Sequence, residues 1–196
     1  FQYNGIQIQE KTEEDICDKI RSLLTNAVKK RLMAEREIGC LLSGGLDSSL
    51  ISALVNQYYD GPKLNTFSIG LHGSIDLEYA QTVADHLETK HHQIEVPENE
   101  FLDAIETVIY NIESYDTTTV RASVGNYLIS KYISENSDCK VIFNGDGADE
   151  VCCGYIYLKN APSSSALQIE SERLIKEIYY FDVLRSDRLI SSYVSE

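Results

Sequence analysis

The sequence has no tryptophan, one methionine and three prolines, and no apolar run near the ~20 residues of a membrane span. No segment therefore reads as a membrane-spanning helix. A basic surplus is also missing. Seventeen Lys and Arg stand against 31 Asp and Glu, giving a net charge of −14 and a pI near 4.6. Such a surface repels nucleic-acid phosphates. An anionic ligand must then be met by local donors and a metal ion rather than by the overall field. The five cysteines, Cys17, Cys40, Cys139, Cys152 and Cys153, are odd in number and include no CxxC or zinc spacing. Reduced thiols in a cytoplasmic protein are expected. The adjacent Cys152-Cys153 pair reads either as a redox or metal device or as structural filler, and no partner ligands accompany it. His72, His86, His91 and His92 have no ligand spacing, and His91-His92 should alternate across a strand. Phe1-Gln2-Tyr3 shows no charged n-region or signal-like h-region. A chain that opens without Met is expected to be a processed chain or a piece of a longer one.

What is present suits one globular domain of 196 residues, with 43% hydrophobic residues for a core and an ordinary 24% charged. Residues 1–11 read as an irregular lead-in. Thr12 and Asp15 form an N-cap pair before Ile16, Ile20, Leu23, Leu24, Ala27, Val28 and Leu32, whose helical spacing predicts a first helix lying on the sheet. Ile38–Leu42 is a strand, and a helix follows over about 47–59 until Asp60-Gly61-Pro62 stops it. Thr66–Gly70 and His91–Val96 are strands, with a helical face at Leu77, Ala80, Val83, Ala84 and Leu87 between them. Phe101–Ile112 and Val120–Ile133 read as helices, Val141–Asn144 as a strand, and a long helix runs to about Leu184. Strands alternating with helices predict an α/β fold: a doubly wound open parallel sheet with helices on both faces. In such sheets the ligand lies past the carboxyl ends of the strands, so the loops after 42, 70 and 144 belong to one cleft.

The first of those loops is Ser43-Gly44-Gly45-Leu46-Asp47-Ser48-Ser49. A Gly-rich turn from strand to helix leaves unpaired amides at the helix N-terminus, where the dipole favours negative charge. The serines add hydroxyl donors. Asp47 would repel a bare phosphate, and it makes sense if a divalent cation bridges the two. The plainer reading is a tight turn with an N-terminal Asp. The stretch resembles the pyrophosphate loop, SGGxDS, of the ATP pyrophosphatase superfamily. It is neither GxxxxGK[ST] nor GxGxxG.

Two further constellations stand out. Tyr115-Asp116-Thr117-Thr118-Thr119-Val120-Arg121 reads equally as a helix cap or as a site in which Arg121 holds a carboxylate or phosphate. Asn144-Gly145-Asp146-Gly147-Ala148-Asp149-Glu150 is a second Gly-rich strand-to-helix turn. It is either an acidic turn on a solvated edge or a place where Asp47 and Asp149 share Mg²⁺ with ATP phosphates.

Taken in order, LLSGGLDSSL, TFSIG, YDTTTVRASVGNYLISKYI, VIFNGDGADE with GYIY and AP, and FDVLRSDR resemble the synthetase domain of glutamine-hydrolysing asparagine synthetases. The likeness covers nearly the whole chain. It implies that residues 1–196 are part of an ATP-pyrophosphatase domain of the adenine nucleotide α-hydrolase-like fold, without the glutaminase domain and the C-terminal continuation. It implies ATP-dependent activation of the aspartate side-chain carboxylate as β-aspartyl-AMP with release of pyrophosphate. Amidation by ammonia, drawn from glutamine in the full-length enzyme, follows: the work of a carbon–nitrogen ligase. By the same resemblance Leu42 and Ile69 pack near the adenosine. Ser43, Gly44, Gly45, Asp47, Ser48 and Ser49 hold the pyrophosphate, and Asn144 and Gly145 contact the nucleotide. Thr118 and Arg121 hold the acyl-adenylate, with Tyr155 close by. Asp47 and Asp149 are the Mg²⁺ ligands, and Asp146 serves adenylate formation. The cofactors are ATP and Mg²⁺. The expected partners are aspartate, ammonia or glutamine, the glutaminase domain and a second copy in a homodimer; nucleic acid and membrane are not among them.

Some positions depart from the family pattern. Asn144 and Asp146 stand where SGEGADE has Ser and Glu, and Asp reaches about 1.5 Å less than Glu. Cys152-Cys153 replaces a pair that is commonly Phe-Gly. These departures keep two alternatives open: a non-catalytic or decayed ATP-binding relative, and another adenylating amidotransferase such as a β-lactam synthetase.

Overall fold

In the computed structural model, which describes residues 12–183, Thr12 starts the first helix as the sequence predicts. Its hydroxyl accepts the Asp15 N–H at 3.2 Å, and the Asp15 carboxylate accepts the Thr12 N–H at 3.2 Å, closing a capping box. The expected lead-in over 1–11, and the part of FDVLRSDR from 184 onward, lie outside the described residues.

The elements follow in the expected alternation: α1 (Glu13–Arg31), β1 (Ile38–Leu41), α2 (Leu46–Tyr58), β2 (Asn65–Leu71), α3 (Ile75–His86), β3 (Lys90–Val96), α4 (Glu98–Ile112), α5 (Thr117–Asn136), β4 (Val141–Phe143), α6 (Ala148–Cys152) and α7 (Ser164–Val183). The described residues fall into two compact units. One holds 12–102 and 125–145, and the other holds 103–124 and 146–183. No helix among the described residues is long and apolar enough to cross a membrane.

The first unit contains the sheet. Its order is β3-β2-β1-β4, and every pairing is parallel. Leu41 lies beside Phe67 of β2, and Cys40 beside Phe143 of β4. All four strands therefore end at one edge. β2 lies on one side of β1 and β4 on the other, so the winding reverses at β1. That reversal is where ligand clefts open in sheets of this kind.

Both faces are covered, because alternate strand residues are apolar on both. Ile38 and Cys40 pack with Val28 of α1, Val55 of α2 and Leu64. On the opposite face Phe67, fully buried, packs with Ile129 and Ile133 of α5 and with Cys139, flanked by Leu41, Ile69 and Ile142. The expected doubly wound sheet is thus observed. Only the C-terminal part of α1 lies on it, however. Val28 is 3% exposed, whereas Ile20 and Leu23 are each 57% exposed. The apolar period of α1 is real, but among the described residues only its last turns find a partner.

The histidines divide as the strand period requires. His91 turns to one face, where its Nδ1 meets Thr66 Oγ1 at 2.9 Å and its Nε2 meets Ser68 Oγ at 3.0 Å. His92 turns to the other, stacked on Phe67 at 4.8 Å with Nε2 3.1 Å from Asn65 Oδ1. Burial, assisted by the neighbouring His92, holds the His91 imidazole below its ordinary pKa; Asp85 works the other way. A His whose folded pKa is depressed stabilises the fold while it is neutral. That contribution is complete above the unfolded pKa of about 6.5 and is lost as the pH falls from there through the lower folded pKa. Urea denaturation between pH 7.5 and 5.5 is therefore expected to show a steeper loss of stability for the wild type than for His91→Gln. Parallel profiles would refute the role given to His91.

Candidate functional site

At the end of β1 the Leu42 N–H donates to the Phe67 carbonyl at 2.8 Å, which carries the ladder one residue further. The Leu42 side chain is buried against Ala80 and Ala84 of α3. The backbone then turns sharply. Gly44 takes φ +80°, and a Cβ there would lie 2.5 Å from Tyr79 Cβ and 2.6 Å from the Ala80 nitrogen. Only glycine meets both demands.

The turn is tied by its own serines. The Ser43 N–H donates to Ser48 Oγ at 3.1 Å, the two hydroxyls stand 2.9 Å apart, and the Gly45 N–H donates to Ser43 Oγ at 3.3 Å. Gly45 is the N-cap of α2 and offers no side-chain acceptor to the first-turn amides. These amides accordingly form an uncapped donor set at a helix start. Asp47 is exposed within that first turn. The Ser49 hydroxyl is buried without a hydrogen-bond partner, a cost that a bound oxyanion would relieve. Deeper in, burial pushes the Cys40 thiol up to about 12, with the Ser52 hydroxyl pulling in the opposite direction.

The turn after β4 meets this one. A Cβ on Gly145 would lie 2.9 Å from the Ser48 nitrogen and 3.0 Å from both Asp47 C and Asp47 Cβ. The two predicted Gly-rich turns are therefore in backbone contact at the reversal point. Neighbouring Asn144 is exposed, and Ile69 borders the Phe67 cluster.

The remaining candidates lie in the second unit. Asp116 is buried; its carboxylate accepts the Thr119 N–H at 2.9 Å and the Thr119 hydroxyl at 2.6 Å. Asp116 is therefore the cap, and α5 starts at Thr117 rather than near Val120. Thr118 and Arg121 are left exposed. Arg121 is the fifth helical residue, beyond the turn in which the helix dipole acts strongly, so its charge needs no special excuse there. Gly147 at φ +89° leads into α6, which carries Asp149 and Glu150; Asp146 precedes it and is exposed. The Tyr155 hydroxyl donates to the Glu150 carboxylate.

Sequence reasoning passed over Tyr79, whose backbone faces Gly44, and gave no role to Gly154, which faces Asp149. The first leaves no signal beyond its place beside the core residue Ala80. The second was visible as the first residue of GYIY, with nothing in the sequence to show what it faces.

A parallel sheet that reverses at β1, with paired Gly-rich turns at its carboxyl edge, defines a doubly wound α/β domain of the kind that opens its ligand cleft at that edge. The fold is shared with the glutamine-dependent NAD+ synthetase from Acinetobacter baumannii in complex with ADP. The TM-score is 0.52 at 16% identity, covering 76% of this chain and 29% of that one.

Residues 19–192 match the family model for asparagine synthase, and the chain belongs to that family. It is 51% identical over 184 residues to the Homo sapiens asparagine synthetase [glutamine-hydrolyzing], covering 92% of this chain and 33% of the human protein. The Mus musculus counterpart is 50% identical over the same coverage. The chain thus spans a third of the length of the curated relatives it matches.

Gly44→Ala is expected to destabilise the protein by about 2 kcal/mol or more, because positive φ and the contact with α3 both oppose a methyl group. Gly45→Ala, whose Cβ meets only the Ser43 hydroxyl at 3.3 Å, is expected to cost distinctly less. Urea midpoints of the two variants decide the matter, and equal losses would contradict the geometry.

Proposed function

We propose that this chain supplies the ATP-using part of an asparagine synthetase. The reading is supported by family membership together with one structural observation. The Gly-rich turn after β1 offers uncapped amides and an orphaned, buried Ser49 hydroxyl, with the Gly145 turn packed against it. Such a donor set fits the phosphates of ATP.

In the proposed reaction an oxygen of the aspartate side-chain carboxylate attacks the α-phosphorus of ATP. The bond to the β-phosphate oxygen breaks, and pyrophosphate leaves. The nitrogen of ammonia then attacks the acyl carbon of β-aspartyl-AMP. AMP departs with the bonding electron pair, the amine loses a proton, and asparagine results. Both partners in the first step are anionic, so positioning and charge neutralisation must lower its barrier.

Ser43, Gly44, Gly45, Asp47, Ser48 and Ser49 are assigned to the pyrophosphate. Leu42 and Ile69 are assigned to the adenosine, Leu42 through its backbone, and Asn144 and Gly145 to contacts with the nucleotide. Thr118 and Arg121 are assigned to the acyl-adenylate, and Asp146 to its formation, with Tyr155 nearby. Asp47 and Asp149 would hold Mg²⁺, which supplies the missing positive charge. Among the described residues no three His, Cys, Asp or Glu gather into a cage. Mg²⁺ is usually held by one or two carboxylates and completed by phosphate oxygens and water. We further propose glutamine, hydrolysed in a separate glutaminase domain, as the ammonia source, with a cytoplasmic location and a homodimeric assembly.

The full-length protein given ATP, Mg²⁺, aspartate and ammonium is expected to form AMP, pyrophosphate and asparagine in equal amounts. Asp47→Asn is expected to lower that rate by roughly 10²-fold or more. Pyrophosphate without asparagine, or an unimpaired Asp47→Asn enzyme, would overturn the reading.

A further inference from the structure

The short helix α6 ends in an unusual way. Cys153 takes a left-handed conformation, φ +59° and ψ 39°, which a non-glycine residue adopts only at a backbone cost. Its Sγ lies 3.0 Å from the Ser171 hydroxyl of α7, which ties the turn down. The Cys153 N–H and the Gly154 N–H, the latter at 3.1 Å, both donate to the Asp149 carbonyl. The chain is thereby folded back over Asp149. A Cβ on Gly154 would stand 1.9 Å from Asp149 Oδ1, 3.0 Å from its Cγ and 3.2 Å from its Cα. One residue on, the Tyr155 hydroxyl donates to the Glu150 carboxylate, and the Tyr155 ring stacks on Tyr157 at 5.9 Å.

We propose that Gly154 and Tyr155 are positioning residues for the acidic turn. Gly154 leaves open the space in which the Asp149 carboxylate sits, and Tyr155 engages Glu150 and holds its charge apart from that of Asp149. The inference rests on the assignment of Asp149 to the metal. Its physical content is that a methyl group at Gly154 acts on one side chain rather than on the fold. Gly154 does not have a positive φ, so alanine meets no backbone penalty there. The atom it would strike most severely is the end of a flexible carboxylate, which can swing away at small cost to the fold. The loss therefore falls on the aim of Asp149.

The test uses the full-length protein and manganese(II)–ATP as probe, with binding followed by water-proton relaxation enhancement. Gly154→Ala is expected to keep a near-wild-type unfolding midpoint and to bind the probe about tenfold more weakly, as loss of a residue that orients a metal ligand does. Asp149→Ala is expected to weaken binding comparably, and the double variant no further than Asp149→Ala alone. Tyr155→Phe, which deletes one oxygen, is expected to weaken binding severalfold. Should Gly154→Ala not fold, Tyr155→Phe decides the question. If Asp149→Ala weakens binding while Gly154→Ala and Tyr155→Phe do not, the positioning role falls and the metal assignment stands. If Asp149→Ala binds the probe like the wild type, both fall. Additive losses in the double variant would also overturn the positioning role.

Discussion

The approach of the Gly145 backbone to the start of α2 governs the sheet's carboxyl edge. With 2.9 Å between a hypothetical Cβ and the Ser48 nitrogen, no side chain larger than hydrogen fits without movement. The contact exists because β1 is bonded on both flanks, to β2 and to β4, in parallel. Parallel pairing brings both Gly-rich turns out at one edge, and the reversal of winding at β1 makes them neighbours. Gly44 makes the equivalent demand on the other side, against α3. The turn after β1 is thus confined between α3 and the turn after β4, while the Ser43–Ser48 bonds hold its internal shape. Little conformational freedom remains to be lost when a ligand arrives.

That rigidity matters because the chain carries a net charge of −14 and the proposed ligand is itself strongly anionic. Long-range attraction is not available. Binding must come from short-range donors already in place: helix-start amides, hydroxyls and a cation. A loosely held loop would have to pay for its ordering against an unfavourable field.

Much of this was legible in the sequence because the signals were local. Thr12 with Asp15, the stop at Asp60-Gly61-Pro62 and the strand–turn–helix pattern around Ser43–Ser49 each involve residues within a few positions of one another. His91-His92 was legible for the same reason, since alternation is built into a strand. The start of α5 was misjudged because Thr117, Thr118 and Thr119 looked like residues preceding a helix. In fact buried Asp116 caps it, and Thr119 is already inside. The packing of α1 was overstated because periodicity reports that an apolar face exists, not what covers it; Ile20 and Leu23 are largely exposed. The contacts at Gly44, Gly145 and Gly154 depend on elements brought together by the fold, so only the fold reveals what each glycine makes room for.

The cysteines carry one last implication. Cys17 and Cys152 are exposed, whereas Cys40 lies at the centre of β1 with no accessible surface and a thiol that burial keeps protonated. A thiolate is the reactive species, so an alkylating reagent should label the first two promptly and reach Cys40 only when the strand between β2 and β4 comes loose. The protein thus carries its own clock for the opening of the sheet, readable by mass spectrometry residue by residue with no probe added to the fold.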